Sequence, residues 1–323
     1  MEGGPRFQLQ YIVPHQGNAS LARCVSQKNH KDFMPTHIID QTDIIQQFRA
    51  DASNLGVQLP ETLIADGLLH RAKDASGKLN LAYKLHTDGH PAGYFEDFKQ
   101  GIKTNWKYHG DLPKLTRAEL AASRLARNKL RQQEQAALVA QHRQTAAKAR
   151  SIWHSAAPAQ PDHPYLIKKQ VSPHRLRQSQ NSALIMPLYD LSADKADLVN
   201  LQFIQPGGTK RFLKAGKKKG CCWWLGEPTD TILIAEGYAT AATVHEATGF
   251  RTIIAFDAKN LIQVAPLIRQ KYPAADIIVM ADNDTSGVGQ TCAQQAALLC
   301  KGKWVAPPTA GQDFNDYANQ GGN

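Results

Sequence analysis

The chain has no long apolar run and no secretory start. Nowhere among its 323 residues do the roughly 18 uninterrupted apolar residues occur that a membrane-spanning helix needs. Its first residues, MEGGPR, lack both the basic start and the apolar core of a signal peptide. These absences predict a cytoplasmic protein that makes no use of a membrane.

Cysteine is scarce, and no two cysteines form a C-x-x-C pair. The sequence therefore predicts no zinc ribbon built by this chain. We interpret the five cysteines as reduced, partly buried thiols, the common state of unpaired cysteine. The phosphate-binding pattern G-x-x-x-x-G-K-[ST] is missing as well, so no fused helicase of that class is predicted.

Acidic residues are outnumbered by basic ones. Lys and Arg number 38 against 28 Asp and Glu, which gives a formal charge of +10. An excess of this size favours a polyanionic partner such as nucleic acid or nucleotides. With 42% hydrophobic and 20% charged residues, the chain is long and apolar enough to form two compact domains.

The N-terminal region, residues 1–112, is predicted to be basic and of mixed α and β structure. Residues 1 to about 36 carry few periodic signals and predict an irregular arm, whereas 42–55 has the apolar spacing of a helix. From 61 to 108, short β-type runs alternate with turn residues. Aromatic and basic side chains interleave there. They fit either a sheet that binds one nucleic-acid strand by stacking and charge or an ordinary half-buried antiparallel sheet.

A long basic helix is predicted next. Residues 114–149 contain no glycine or proline and are rich in Ala, Leu, Arg and Gln. Two interpretations stay open: a positive rod along a nucleic-acid path, and a solvated linker helix. We place this linker at 113–158, because Pro158 and Pro161 end the helix.

Residues 159–226 are predicted to form a basic subdomain of short strands. Strand-like runs occur at 183–188, 198–204 and 210–213, and a proline-glycine turn precedes the last of them. Most of the basic side chains lie on a loop punctuated by two glycines. The basic cluster comprises Lys210, Arg211, Lys214, Lys217, Lys218 and Lys219.

The last segment, 227–323, alternates short buried-type strands with helices. Strands are predicted at 231–235, 252–256 and 276–281, with helical runs between and after them. This order predicts a parallel sheet with helices on both faces. In such sheets, ligands bind at the carboxyl ends of the strands.

Acidic residues follow all three of these strands. Singly, such an acid is most often a helix cap or a turn residue. Together, carboxylates at one edge of a sheet repel each other unless a cation lies between them, and oxygen ligands of this kind select Mg²⁺ or Mn²⁺. The acids, with a pair nearer the C-terminus, are Glu236, Asp257, Asp282, Asp284, Asp313 and Asp316.

Four runs carry a family resemblance: ILIAEGYATAATVHEATG, IIAFDAKNL, IIVMADNDTSGVGQTCA and DFND. They resemble the Toprim domain of bacterial-type primases, topoisomerases and certain nucleases, with the strongest likeness to primases of phages, conjugative plasmids and integrated elements. HPYL at 163–166 and the basic cluster resemble the subdomain that precedes Toprim in those primases. The likeness implies an α/β fold: a Rossmann-like Toprim domain after an α+β basic subdomain and an N-terminal α+β region joined by the long helix.

The resemblance also implies roles for individual residues. Glu236 corresponds to the family's catalytic glutamate, a general base or acid for the 3′-oxygen. The implied metal ligands are Asp282, Asp284 and Asp313. The residues implied to hold nucleotide or template are Lys210, Arg211, Lys214 and Lys218. The supporting positions are Gly237, Asp257, Asn260 and Asp316, with support of the metal site as our interpretation of Asp257 and Asn260.

A primase is the function that this resemblance implies: an enzyme that makes short RNA primers on single-stranded DNA from nucleoside triphosphates, for replication of a phage, plasmid or mobile element. Its partners would be the template, the nucleotides, and a replicative helicase or single-strand-binding protein.

Two other functions stay open. One is a Toprim nuclease that uses the same acids, and the other is a non-catalytic accessory protein that binds single-stranded nucleic acid. Replicative primases usually carry a zinc module, so template selection here would fall to the N-terminal sheet, the basic helix or a partner.

Overall fold

A computed structural model describes residues 41–111, 116–192 and 196–321, and the predicted arm of residues 1 to 36 lies outside these ranges. The chain divides into two compact units, Met1–Arg124 and Leu125–Asn323. The division into four segments expected from the sequence stays a prediction.

In the first unit, residues 41–111 form one helix and a four-stranded sheet. The strands lie in the order β1-β2-β3-β4, each antiparallel to the next. In the turns between them, Gly77, Gly89 and Gly101 adopt φ values of 77°, 60° and 73°, which glycine reaches without strain. The elements are α1 (Gln41–Asn54), β1 (His70–Ala72), β2 (Leu81–His86), β3 (Ala92–Asp97) and β4 (Ile102–Lys107).

Aromatic side chains join α1 to this sheet. The buried Phe48 ring lies edge-on to the rings of Phe95 and Trp106, with centroids 5.6 and 5.1 Å away. A glycine makes the close approach possible, because a Cβ on Gly93 would lie 2.7 Å from both the Phe48 ring and the Lys84 carbonyl oxygen. The helix therefore packs on the sheet where β3 carries no side chain.

Helix α2 (Arg117–Ser155) is the predicted long basic helix. It begins with a reciprocal cap: the Glu119 amide donates to Thr116 Oγ1 at 3.2 Å, and the Thr116 amide donates to Glu119 Oε2 at 2.8 Å. The predicted end at 149 is too early. The helix continues because Ile152 and Trp153 pack against the apolar cluster that includes Leu201.

Antiparallel strands form the first half of the second unit. Strand β7 is their centre and pairs with β6, β8 and β10. The elements are β5 (Ala157–Pro158), α3 (Pro164–Lys169), β6 (Arg177–Gln178), β7 (Leu184–Asp190), β8 (Asp197–Ile204), β9 (Lys210–Phe212) and β10 (Cys221–Leu225).

The C-terminal half is built on four parallel strands in the order β14-β13-β11-β12, and β10 adds to β12 in the antiparallel sense. Helix α4 contributes Tyr238 and Val244 to the core on one face, whereas α5 and α6 contribute Ile268 and Ala296 to the core on the other. The predicted α/β class with helices on both faces is therefore confirmed. The elements are β11 (Thr231–Ala235), α4 (Tyr238–Thr248), β12 (Arg251–Ile254), α5 (Ala258–Lys271), β13 (Asp276–Met280), α6 (Val288–Cys300), β14 (Lys303–Val305) and α7 (Phe314–Asn319).

Within the described ranges, no helix has both the length and the apolar character to cross a bilayer.

Replacing Gly93 by alanine should destabilise the first unit, because even a methyl group would push the Phe48 ring off the sheet. Overpacking a core commonly costs about 1–3 kcal/mol. Gly207→Ala is the matched control, since nothing lies within 4 Å of its Cβ position. Calorimetric unfolding of the full chain measures both variants, and indistinguishable melting curves would contradict the proposed packing.

Candidate active site

Acidic residues meet at one edge of the parallel sheet. Because β11 runs parallel to both β12 and β13, the carboxyl ends of the three strands lie together. Glu236 directly follows β11 and Asp282 lies just beyond β13; with Asp313 they line a cavity of about 270 Å³. The rest of the cavity wall is Tyr165, Lys168, Lys169, Gly208, Lys210, Gly237, Ala239, Thr240 and Phe256.

Glu236 is a partly buried carboxylate that the structure makes easier to protonate. Burial, followed by repulsion from Asp257, raises its pKa, and the ammonium of Lys210 opposes the rise. A group of this kind is suited to accept a proton during a reaction. Gly237, the next residue, is the N-cap of α4.

Lys210 brings a positive charge into the same cavity. The residue as a whole is exposed on β9, but its ammonium reaches inward: Nζ lies 3.3 Å from the position that a Cβ on Gly237 would occupy. Burial lowers the pKa of this amine, against the attraction of Glu236 and Asp282. Glycine at position 237 therefore leaves the space that the lysine head group fills.

Asp282 is the most perturbed carboxylate of the site. Burial, followed by repulsion from Glu236 and Asp313, raises its pKa to about 7. Among the described residues, its buried Oδ1 has no hydrogen-bond partner. A buried carboxylate oxygen without a donor, close to other carboxylates, fits a bound divalent cation that would supply the missing positive charge.

Asp284 faces a different environment. Hydrogen bonds, first from the Ser286 hydroxyl and then from the Gly289 amide, lower its pKa; the amide lies 2.7 Å from Oδ2. Within the described ranges, no group of three carboxylate, histidine or cysteine side chains is placed to hold a metal ion as the side chains stand. The predicted set of Asp282, Asp284 and Asp313 is therefore not assembled here, and its role in binding metal stays a prediction.

Asp313 and Asp316 form a capping box at the start of α7. Lys169 bridges them, with Nζ at 3.9 Å from Asp313 Oδ2 and 3.0 Å from Asp316 Oδ1. Asp313 is the N-cap residue and also lines the cavity: its Oδ1 accepts from the Asp316 amide at 2.8 Å. The supporting role predicted for Asp316 stays a prediction.

Asp257 and Asn260 connect the sheet edge to the basic loop. Asp257 accepts from the Asn260 amide at 2.9 Å and pairs with Lys218 at 2.6 Å. The buried Asn260 side chain accepts from the Gly220 amide at 2.8 Å and donates to the Ala255 carbonyl at 2.7 Å. Both residues thus fix the position of the lysine loop beside the strand ends.

The remaining predicted basic residues lie outside the cavity. Arg211 is exposed on β9, where it neighbours Lys210 and so points to the other face of the strand. Lys214 is exposed as well, and its carbonyl oxygen accepts from the Thr145 hydroxyl at 3.5 Å. Of the four predicted basic residues, Lys210 is therefore the one that lines the cavity, while Lys218 pairs with Asp257 outside it.

Sequence reasoning missed the wall formed by α3. Tyr165, Lys168 and Lys169 line the cavity although they lie far from the acids in sequence. His163 fixes the start of this helix by accepting from the Tyr165 amide at 3.2 Å, with Pro164 at the first helical position. That pattern of cap and proline could have located the helix, but not what it faces.

Comparison with known proteins identifies the C-terminal half. Residues 231–323 match the family model described as the Toprim domain. The parallel sheet and the acids at its strand ends lie within these matched residues, as the resemblance implied.

Two of the relatives carry the name of a primase. Over 262 residues, 76% of this chain, it is 35% identical to a protein of Escherichia coli named "DNA primase TraC", and a second protein of that name is 33% identical over 267 residues. The chain covers 24% and 18% of the length of these two relatives. Among solved structures, the primase fragment of the bacteriophage T7 primase-helicase protein is 16% identical, with a TM-score of 0.39 over 48% of this chain and 69% of that one. The resemblance to Toprim primases is confirmed by the sequence relatives.

In a buffer without divalent cations, Asp282→Asn should raise the melting temperature at pH 8 and have little effect at pH 4. Since the folded protein holds the Asp282 proton with a pKa of about 7, against an ordinary 3.8, stability is lost as the pH rises from 3.8 towards 7. An amide cannot ionise and escapes this loss, which for a partly exposed group amounts to roughly 1–3 kcal/mol. The control is Asp276→Asn, an exposed acid at the other end of β13.

The same melting experiment tests the cation. At pH 8, added Mg²⁺ or Mn²⁺ should raise the melting temperature of the unchanged protein more than that of Asp282→Asn, because bound cations stabilise the folded state by mass action. Equal shifts in the two proteins would contradict a cation site at Asp282.

Proposed function

We propose that this protein is a DNA primase, which synthesises short RNA primers on single-stranded DNA from nucleoside triphosphates by metal-dependent nucleotidyl transfer. One observation carries the proposal: Glu236, Asp282, Asp313 and Lys210 line a single cavity at the carboxyl edge of a Toprim sheet. The primases among its relatives support the choice of reaction. The proposed setting is the cytoplasm, in replication of a phage, plasmid or mobile element, with a replicative helicase or single-strand-binding protein as possible partner.

Glu236 is the proposed proton acceptor. In primer synthesis, the 3′-oxygen of one nucleotide attacks the α-phosphorus of the next nucleoside triphosphate. The bond from that phosphorus to the β-phosphate oxygen breaks, pyrophosphate leaves, and the proton of the 3′-hydroxyl passes to a base. Because burial raises the pKa of Glu236, its carboxylate binds a proton more readily than an exposed glutamate does. Its place at the end of the central strand β11 fixes this carboxylate among the other acids.

The proposed metal is Mg²⁺ or Mn²⁺, and the side chains that would hold it are Asp282, Asp284 and Asp313. When bound, the cation would stabilise the negative charge of the transferred phosphoryl group. Asp282 contributes the oxygen that has no hydrogen-bond partner in the described structure. Asp284 keeps acceptor positions beyond those used by Ser286 and Gly289, because a carboxylate has about four of them.

The basic residues divide into two proposed groups. Lys210, with its ammonium inside the cavity, would neutralise the triphosphate of the incoming nucleotide. Lys218, paired with Asp257 at the sheet edge, lies on the approach to the same acids. Arg211 and Lys214, which are exposed and outside the cavity, are suited to the phosphates of a template strand.

The template-binding surface that we propose for the first unit is the outer face of its sheet. We define the outer face by side chains that the strand register places on one side of the sheet: Lys84, Tyr94, Glu96, Lys103, Asn105 and Lys107. Glu96 accepts a hydrogen bond from the Tyr94 hydroxyl and is the register partner of Lys103. The ammonium of Lys103 lies 5.7 Å from the centre of the Tyr94 ring, and Lys103, Asn105 and Lys107 are exposed. An aromatic ring on a face where three lysines outnumber one glutamate provides both the stacking and the charge that single-stranded nucleic acid requires.

Glu236→Gln should abolish primer synthesis while leaving the fold intact. The assay combines circular single-stranded DNA, four nucleoside triphosphates, one of them labelled, and Mg²⁺ or Mn²⁺. Short labelled oligomers should appear on a denaturing gel with the unchanged protein and fall by at least about 100-fold with the variant, the usual contribution of a general base. Glu227→Gln, an exposed acid of the same unit, is the matched control.

The gel separates the alternatives. Shortened DNA without labelled oligomers would replace the primase with a nuclease that uses the same acids. Oligomers made equally well by Glu236→Gln would overturn the assigned role of Glu236.

Replacing Lys103 and Lys107 together by glutamine should weaken binding of single-stranded DNA and flatten its salt dependence. Each lost phosphate contact should reduce the slope of log affinity against log salt by about 0.7. Lys78→Gln, an exposed lysine in the turn between β1 and β2, is the control with the same loss of charge per residue. Fluorescence anisotropy with a labelled oligonucleotide measures the slopes. An unchanged slope in the double variant would rule out the outer face as the surface that binds single-stranded DNA.

A further inference from the structure

Tyr165 has a buried hydroxyl that the fold does not use. The residue is 3% exposed, lies in α3 and lines the cavity that holds Glu236 and Asp282. Within the described part of the chain, its hydroxyl has no hydrogen-bond partner. Such a group is costly to bury, and phenylalanine would fill the same space without that cost.

A second tyrosine of the same core shows the usual arrangement. Tyr238 is also fully buried, and its hydroxyl donates to the Ser172 carbonyl oxygen at 2.6 Å. The two side chains belong to one apolar cluster, so the difference does not come from their surroundings in general. What distinguishes Tyr165 is that it also lines the cavity, whereas Tyr238 is not among the lining residues.

The neighbours of Tyr165 define the chemistry of a partner. Lys168 and Lys169, from the last turn of the same helix, line the cavity, as does Lys210. Burial, followed by the charge of Asp313, raises the pKa of Tyr165 to about 12, so the hydroxyl keeps its proton at neutral pH and remains a donor. A neutral donor beside several ammonium groups is suited to an anionic oxygen, and phosphate is the anion that nucleotides carry.

We propose that the Tyr165 hydroxyl donates a hydrogen bond to a phosphoryl oxygen of the incoming nucleotide, with Lys168 and Lys169 supplying positive charge beside it. The inference rests on the proposed function and adds a substrate-positioning residue to it. Tyr165 approaches the acids from α3, across the cavity wall from the strand ends. It would hold the phosphates from the side that the Toprim domain itself does not provide.

Tyr165→Phe removes the hydroxyl alone and provides the test. Its melting temperature should equal or exceed that of the unchanged protein, because no hydrogen bond of the fold is lost. Its affinity for ATP in the presence of Mn²⁺, measured by calorimetry, should fall by about tenfold or more, the usual effect of losing a hydrogen bond to a charged group. Tyr238→Phe is the matched control: it should melt at a lower temperature and bind ATP as the unchanged protein does.

Two further measurements distinguish the possible failures. If Tyr165→Phe binds ATP as well as the unchanged protein, or melts lower as Tyr238→Phe does, the inference is wrong. If instead it loses affinity for a single-stranded oligonucleotide and not for ATP, the phosphate belongs to the nucleic-acid backbone and the assignment to the nucleotide is overturned. Failure of the proposed function would give a different result. The unchanged protein would then make no primers, whatever the affinity of Tyr165→Phe for ATP or for the oligonucleotide.

Discussion

The site depends on keeping carboxylates together that repel each other. Burial raises the pKa of both Glu236 and Asp282, and the charge of Glu236 raises that of Asp282 further. The ammonium of Lys210 offsets only part of this repulsion, because the pKa of Asp282 still rises to about 7. The protein therefore carries an electrostatic cost at the place where a bound cation and a substrate would remove it.

The rest of the second unit supplies the rigidity that this arrangement requires. Parallel pairing of β11 with two neighbours fixes where the strands end, and apolar cores on both faces of the sheet hold the strands in register. Asn260 ties the lysine loop to the end of β12, and Gly289 allows close approach, because a Cβ there would lie 2.6 Å from the Asp282 carbonyl oxygen. These contacts fix the positions of side chains around the cavity and do not need to touch a substrate themselves.

The cavity brings charges of both signs together. Acids come from the strand ends and the start of α7, whereas lysines come from α3 and β9. Because metal ions bind carboxylates and phosphates bind ammonium groups, a cavity lined by both is suited to a metal ion and a phosphate side by side. The outer face of the first unit adds aromatic and basic groups of the kind that bind a strand by its bases and phosphates.

The sequence by itself determined the elements and the acids. Periodicity placed β11, β12 and β13 within a few residues, because buried parallel strands are continuous apolar runs, and the acids that follow them predict the edge of the sheet where the cavity lies. The short strand β14 was not predicted, since its three residues are exposed and carry no such run. Tertiary structure alone decided that Lys210 reaches these acids and Arg211 does not. The two residues are adjacent in sequence but lie on opposite faces of β9. It also decided that Asp284 is engaged by the start of α6, and that Tyr165, more than a hundred residues before Asp282, lines the same cavity. Such contacts between distant segments depend on how elements pack, and local patterns of residues carry no record of them.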